Sequence, residues 1–276
     1  MSSSEEYRKL VEEAGLPPEA LPSDFFFSSD VDGELARALA DAQGKAARPP
    51  LAPGNNDIQA ARAAAREAGE LTPLKIGVLI SGSGTNLQAL IDRIADGSLD
   101  AEIVLVVSSR PSAAGLKRAA DAGIQTLALS KDIYADPWDA DEVIATELKR
   151  AGAEYIVMAG YMRKVHEPLL ALWPDRVVNL HPALLPSFQG AHGIQDAYER
   201  GVKVTGVTVH IANAVYDMGP IIAQRALVVE EGWDVDTLEE HIHAIEHVLY
   251  PEVVQMLADG RVHVRENLTV EVRPLS

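Results

Sequence analysis

The chain has 276 residues, 47% of them hydrophobic and 24% charged, with a net charge of −17 and no cysteine. That combination builds one large globular domain, alone or with an appendage, and excludes a disulfide framework, a thiolate nucleophile and a Cys-ligated zinc. The acidic balance argues against duplex nucleic acid or an anionic membrane as partner, and any anionic substrate must be held by local donors against the field of the whole molecule.

The start, Met1–Glu6, has neither the basic nor the apolar region of a signal peptide. Apolar runs such as Ile76–Ile80 and Ile103–Val107 are strand-sized and too short to span a bilayer, so a cytoplasmic protein is expected. Residues 1–73 differ in composition from the rest, holding seven of the sixteen prolines and, in Phe25–Phe27, three of the four phenylalanines. They read as an N-terminal arm of short helices, at Glu5–Ala14 and Asp57–Leu71, and Pro-rich loops. Residues 74–276 read as the main domain.

From Leu74 strands and helices alternate. Strands are predicted at Lys75–Ile80, Glu102–Val107, Gln125–Leu129, Tyr155–Ala159 and Arg176–Leu180, and helices at Asn86–Ala95, Ala113–Ala122, Asp139–Ala151 and around Glu167–Leu172. Unbroken apolar strands between helices give a Rossmann-like, mostly parallel sheet with helices on both faces. Longer strands follow at Val204–Ile211 and Ile221–Val229, then a helix from Val235 to about Leu257 containing Pro251. Arg261–Arg265 and Leu268–Val272 read as a closing hairpin.

Three polar residues stand out against this pattern. Asn179 and His181 end an apolar strand two positions apart, so their side chains share one face. Asp217 precedes a Gly–Pro turn after another apolar strand. An amide that donates to an oxyanion, a histidine that moves a proton and a carboxylate that tunes it form a working set for acyl transfer. Asp217 opposite His181 is expected to favour the imidazolium and raise its pKa. Taken singly, the three read as a strand-end cap, a satisfied core histidine and a turn residue.

The segment Ser81-Gly82-Ser83-Gly84-Thr85-Asn86 joins the first strand to the first helix. The free N–H groups of that helix start suit a phosphate. It resembles the opening of a dinucleotide fingerprint, but Leu87 stands where the third glycine belongs, and the second strand ends in Ser108-Ser109-Arg110 with no acid for a ribose diol. Arg110 would suit a phosphorylated ribose. No Gly-Lys-Ser/Thr follows, so it is not a P-loop. His243-Ala244-Ile245-Glu246-His247 matches the H-x-x-E-H zinc pattern, but only 29 residues follow it, leaving little room for a helix bearing a third ligand. No metal is expected.

Together, Val78–Leu87, Ala159-Gly160-Tyr161-Met162-Arg163, Asn179–Pro186, Asp217-Met218-Gly219-Pro220 and Glu246-His247 resemble the glycinamide ribonucleotide formyltransferases, from about Leu74 to Arg265. The resemblance implies a nucleotide-binding half, a folate cleft where the halves meet, and formyl transfer from 10-formyltetrahydrofolate to the amine of 5′-phosphoribosylglycinamide. It implies that Gly84, Thr85, Asn86, His243, Ala244, Ile245 and Glu246 hold the nucleotide. It implies that Met162, Arg163, Lys164 and Val165 line the pterin, with Asn179 beside it and Asn213, Ala214, Val215 and Tyr216 closing over it. The expected partners are these small molecules, with a homodimer left open as the assembly state.

Pro137 replaces a family arginine that serves an anion, Gln189 replaces a frequent proline, and Ala212–Tyr216 is less acidic than usual. His243 is the expected substitute cation for the nucleotide phosphate. The rival readings are a formyltetrahydrofolate deformylase, similar over Ala197–Lys203, and a non-catalytic folate- or nucleotide-binding protein. A methionyl-tRNA formyltransferase would carry a basic C-terminal domain, which this acidic sequence does not show.

Overall fold

The computed structural model describes residues 52–275, which fall within one compact unit; the helix expected at Glu5–Ala14 lies outside the described residues. Seven strands form one sheet in the order β3-β2-β1-β4-β5-β6-β7. They are β1 (Leu74–Ile80), β2 (Ala101–Ser108), β3 (Thr126–Ala128), β4 (Tyr155–Met158), β5 (Val177–His181), β6 (Val204–Ile211) and β7 (Ile221–Val228). The first five pair in parallel, and β6 and β7 run antiparallel at one edge.

The helices are α1 (Asn55–Ala68), α2 (Thr85–Ala95), α3 (Ala114–Asp121), α4 (Pro137–Arg150), α5 (Glu167–Leu170), α6 (Gly193–Arg200) and α7 (Val235–Ala258). Both faces of the sheet are covered. One core joins alternate residues of β1, such as Ile76, Val78 and Ile80, to Leu87 and Leu90 of α2 and to Leu238, Ile242 and Leu249 of α7. The other joins Leu79 and Ile156 to Ile144 and Leu148 of α4 and Leu169 of α5. This burial on both faces is why β1 reads as a near-continuous apolar run and not as an alternating one.

One predicted boundary moved for a physical reason, and one helix was missed. Helix α4 begins at Pro137, not Asp139: Asp136 caps it by accepting the Trp138 N–H at 2.8 Å, with proline at the first helical position where no N–H is needed. Helix α6 was not anticipated, being eight residues long without a side-chain cap and ending on left-handed Gly201. Helix α7 runs through Pro251 to Ala258. The closing hairpin, β8 (Val262–Val264) with β9 (Val270–Val272), forms a separate two-stranded sheet. Among the described residues, no helix is long and apolar enough to cross a membrane.

Helix α1 is bound by side-chain amides. Gln59 donates to Leu257 O at 3.0 Å and accepts from Val262 N at 2.8 Å. Asn56 makes the same two-way contact with Val264, and Arg62 Nε donates to Ala258 O at 2.8 Å. These polar side chains complete backbone groups at the end of α7 and along β8, whose N–H and C=O groups would otherwise be buried without partners.

The sheet fixes where a ligand can bind. From β1 the chain moves outward through β2 to β3, then returns to place β4 on the other side of β1. The crevice beyond the carboxyl ends of strands at such a reversal is the usual ligand site in open α/β sheets. The ends of β1, β4 and β5 all open there.

Candidate active site

A cavity of about 300 Å³ lies at this reversal. Its walls include Ser81–Asn86 after β1, Ala159–Met162 after β4, Asn179–Pro182 at the end of β5, Tyr216, and His243 and Glu246 from α7.

The loop after β1 is held tightly. Gly84 has φ +72, and a Cβ there would come within 2.6 Å of the Gly115 Cα, so only glycine fits. Gly115 N donates to Gly82 O at 3.1 Å and Arg118 Nε donates to Ser83 O at 2.9 Å. The carbonyls of residues 82 and 83 are thus engaged by α3. Ser81 ties the loop to the opposite wall: its Oγ accepts the Met162 N–H at 2.9 Å, and its own N–H donates to Gly160 O at 3.0 Å.

At the end of β5 the expected set is assembled. His181 Nε2 lies 2.8 Å from Phe188 O and its Nδ1 3.4 Å from Asp217 Oδ2. Asp217 also accepts the Gly190 N–H at 2.9 Å. His181 and Asp217 are both buried. Residue 188, whose carbonyl faces His181, and residue 217 both adopt left-handed backbone conformations, φ +54 and +53, which side chains other than glycine rarely take.

Burial drives the pKa of His181 below the ordinary histidine value, and the Asp217 charge and the Phe188 carbonyl restore only part of it. Asp217 does push this pKa upward, as expected, but the ring is buried among strand ends and loops, and loss of solvation outweighs the neighbouring carboxylate, so the net direction is down. For Asp217 burial acts upward, but contacts from His210, His181 and the Gly190 N–H together hold the carboxyl below its usual range.

A fourth residue joins this set without having been anticipated. His210, on β6, pairs directly across from Asn179 in the antiparallel register. Its Nε2 is 3.1 Å from Asn179 Nδ2 and 3.6 Å from Asp217 Oδ1, and its Nδ1 is 3.2 Å from Ile211 O. Where Nε2 accepts one hydrogen of the Asn179 amide, the second is left to point elsewhere. In sequence His210 is one polar residue near the end of an apolar strand. Only the pairing with β5 gives it a role.

The residues expected to hold the nucleotide separate into two groups. Gly84, Thr85, Asn86, His243 and Glu246 line the cavity; Ala244 is exposed and Ile245 packs against the core. Asn86 Nδ2 donates to Glu246 Oε2 at 2.8 Å, joining α2 to α7. Burial raises the pKa of the Glu246 carboxyl, with the Asn86 hydrogen bond opposing it.

Of the residues expected around the pterin, Met162, Asn179 and Tyr216 line the cavity. Val165 is buried in the second core. Asn213, Ala214 and Val215 form the turn beyond β6, where Asn213 Oδ1 accepts the Val215 N–H at 2.9 Å. Lys164 is exposed beside it in sequence, and the exposed Arg163 guanidinium lies over the Tyr134 ring, 4.0 Å from its centroid. Met162 and Tyr216 expose large apolar surface where they line the cavity, and Val215 and Met218, near Tyr216 in sequence, are exposed too. Among the described residues, no group of three or more metal-ligating side chains is assembled, and His243 and His247 stack with ring centroids 6.3 Å apart.

Comparisons with known proteins agree with this geometry. A family model described as "Formyl transferase" matches residues 74–254. The human trifunctional purine biosynthetic protein adenosine-3 is 39% identical over 193 residues, covering 70% of this chain and 19% of that protein; the chain spans about a fifth of such trifunctional relatives. Phosphoribosylglycinamide formyltransferase of Bacillus subtilis is 36% identical over 66% of this chain and 94% of that protein. The crystal structure of glycinamide ribonucleotide transformylase 1 from Symbiobacterium toebii superposes with a TM-score of 0.71 at 42% identity, over 73% of this chain and 95% of that one. With the match running through β1, β5 and the residue 217 turn, the chain belongs to the formyl transferase family.

Proposed function

We propose that the protein transfers the formyl group of 10-formyltetrahydrofolate to the amine of 5′-phosphoribosylglycinamide, a step of purine synthesis. The observation that carries this reading is the placement of Asn179 and His181 side by side on one wall of the cavity, with a glycine loop at one end and an apolar rim at the other. A nucleotide phosphate suits the loop, where α2 begins and free N–H groups collect. The flat, largely apolar pterin suits the exposed apolar side chains of Met162 and Tyr216 on the cavity wall.

In this reading the substrate amine attacks the formyl carbon, and the carbonyl electrons move onto oxygen. The Asn179 N–H not engaged by His210 donates to that oxyanion, where a pre-oriented donor is worth most. Collapse of the tetrahedral adduct re-forms the carbonyl and breaks the bond to the folate nitrogen. The amine loses one proton and the folate nitrogen gains one. His181 carries that proton. Its Nδ1 side, at 3.4 Å from Asp217, is the more loosely engaged of its two nitrogens. The depressed pKa leaves the ring neutral at rest, and Asp217 stabilises the imidazolium as it forms.

The protein is proposed to act in the cytoplasm on these small molecules. Pro137 begins a helix, so it leaves no cation in that loop, and Arg163 is the candidate for the folate carboxylates. The test is release of tetrahydrofolate from 10-formyltetrahydrofolate with and without the nucleotide. Nucleotide-dependent release is expected. Release at the same rate without it would mark a hydrolase instead, and no release with either would mark a binding protein.

A further inference from the structure

Arg110 has no part in the reading above. It follows β2 directly, and the sequence marked it only as a residue that would suit a phosphorylated ribose. In the fold, β2 lies beside β1, so the ends of the two strands emerge together. Ser109 N donates to Ile80 O at 3.0 Å, and the Ser109 and Ser81 hydroxyls are 2.6 Å apart in a buried contact. Residue 110 is thus one step from the first residue of the glycine loop. Ser108 fixes its backbone at both ends, accepting the Arg110 N–H at 3.1 Å and donating to Arg110 O at 2.8 Å.

The Arg110 side chain is left exposed on the wall of the same cavity as Ser81–Asn86. Among the cavity-lining residues it is the only lysine or arginine. Among the described residues no carboxylate pairs with it. The other basic side chains of this wall are engaged: His181 faces Asp217, and His243 lies 3.8 Å from Glu239 and one turn from Glu246. A Cβ on Gly82 would meet nothing within 4 Å, so the backbone there faces open space.

We propose that Arg110 binds the phosphate of the nucleotide substrate, closing over an anion whose other oxygens meet the glycine loop and the first turn of α2. The requirement comes from charge. A phosphate dianion entering a molecule of net charge −17 needs a local cation, and a guanidinium offers a planar fork of donors matched to phosphate oxygens.

The inference rests on the formyl-transfer reading, and the test separates the two. Arg110→Ala and Arg110→Lys are compared with wild type using the nucleotide and glycinamide riboside, which lacks only the phosphate. Loss of a charge-assisted hydrogen bond is expected to raise the KM for the nucleotide about ten- to hundredfold in Arg110→Ala. The preference for nucleotide over riboside should collapse by the same factor, and Arg110→Lys should recover part of it. Calorimetric titration with ribose 5-phosphate reads the contact without the reaction, and its affinity should fall in parallel and weaken with salt. Equal losses for nucleotide and riboside, a rise in the folate KM alone, or unchanged ribose 5-phosphate affinity would each overturn the assignment. If wild type binds ribose 5-phosphate through Arg110 but transfers no formyl group, the functional reading fails and the phosphate site stands.

Discussion

Asp217→Asn isolates charge from shape at the reaction centre. The amide is the same size, tolerates the left-handed backbone at this position, and can keep the Gly190 contact at 2.9 Å by presenting its oxygen there. The amide nitrogen then faces His210 Nε2, and His181 Nδ1 still faces a carbonyl oxygen. What is lost is one negative charge 3.4 Å from the ring that must become cationic as the proton moves. At an effective dielectric constant of about 20, that pair is worth about 5 kcal/mol, and the remaining amide dipole returns some of it. A net loss of about 3–5 kcal/mol lowers the chemical step by a factor of about a hundred to a few thousand. Rapid-quench measurement of a single turnover, with enzyme in excess over both substrates, reads that step without interference from product release. Thermal melting and the binding of a non-reacting folate analogue should be close to wild type. If Asp217→Asn turns over within about threefold of wild type with its fold intact, the carboxylate does not stabilise the imidazolium, and the proton path through His181 is wrong.

Asn179→Ala and His181→Ala should each lower the single-turnover rate by at least about a hundredfold with little change in analogue binding, the first by removing an oxyanion donor and the second by removing the proton carrier. Glu246→Gln tests a buried charge. Burial holds the Glu246 carboxyl above its unfolded pKa, so the stability of the wild type that depends on its protonated form is complete below the unfolded value and lost as pH rises through the raised one. The glutamine variant never ionises, so its melting temperature relative to wild type should climb as pH rises above the ordinary carboxylate value; a flat or falling difference would show that the carboxylate is not strained by burial. Gln59→Ala should cost about 2–6 kcal/mol in urea unfolding, because Leu257 O and Val262 N lose their partners inside the seam, while kcat stays within about twofold of wild type.

Local patterns carried most of the frame. The apolar runs of β1, β2 and β4 are visible because a strand covered on both faces has no polar positions to interrupt it. Asn179 and His181 are visible because two polar groups with period two at the end of such a strand have no packing reason to be there. His210 was hidden for the opposite reason. Its partner Asn179 is 31 residues away, brought opposite by antiparallel pairing, and nothing near residue 210 announces it. The engagement of Gly190 and Phe188 with Asp217 and His181 is hidden in the same way. Pro137 stands out in sequence for the cation it lacks, yet Asp136-Pro137 is a helix-start signal that the structure uses. The direction of the His181 pKa could not come from neighbours in sequence, since it depends on how much water the assembled loops exclude.

The two left-handed residues, Phe188 and Asp217, place part of this site's cost in its backbone. Non-glycine residues held in that region are less stable by roughly 1–3 kcal/mol each. Both positions are therefore where selection for thermal robustness would find quick gains, with Phe188→Gly the simplest. Such a change frees the peptide that aims the residue 188 carbonyl at His181, so the ring would lose one of the two contacts that orient it. A lineage pressed toward higher stability has reason to reinforce α1 or the sheet edge and leave these two turns as they are. Variability at Phe188 and Asp217 among thermostable descendants would then be lower than their loop location alone would suggest.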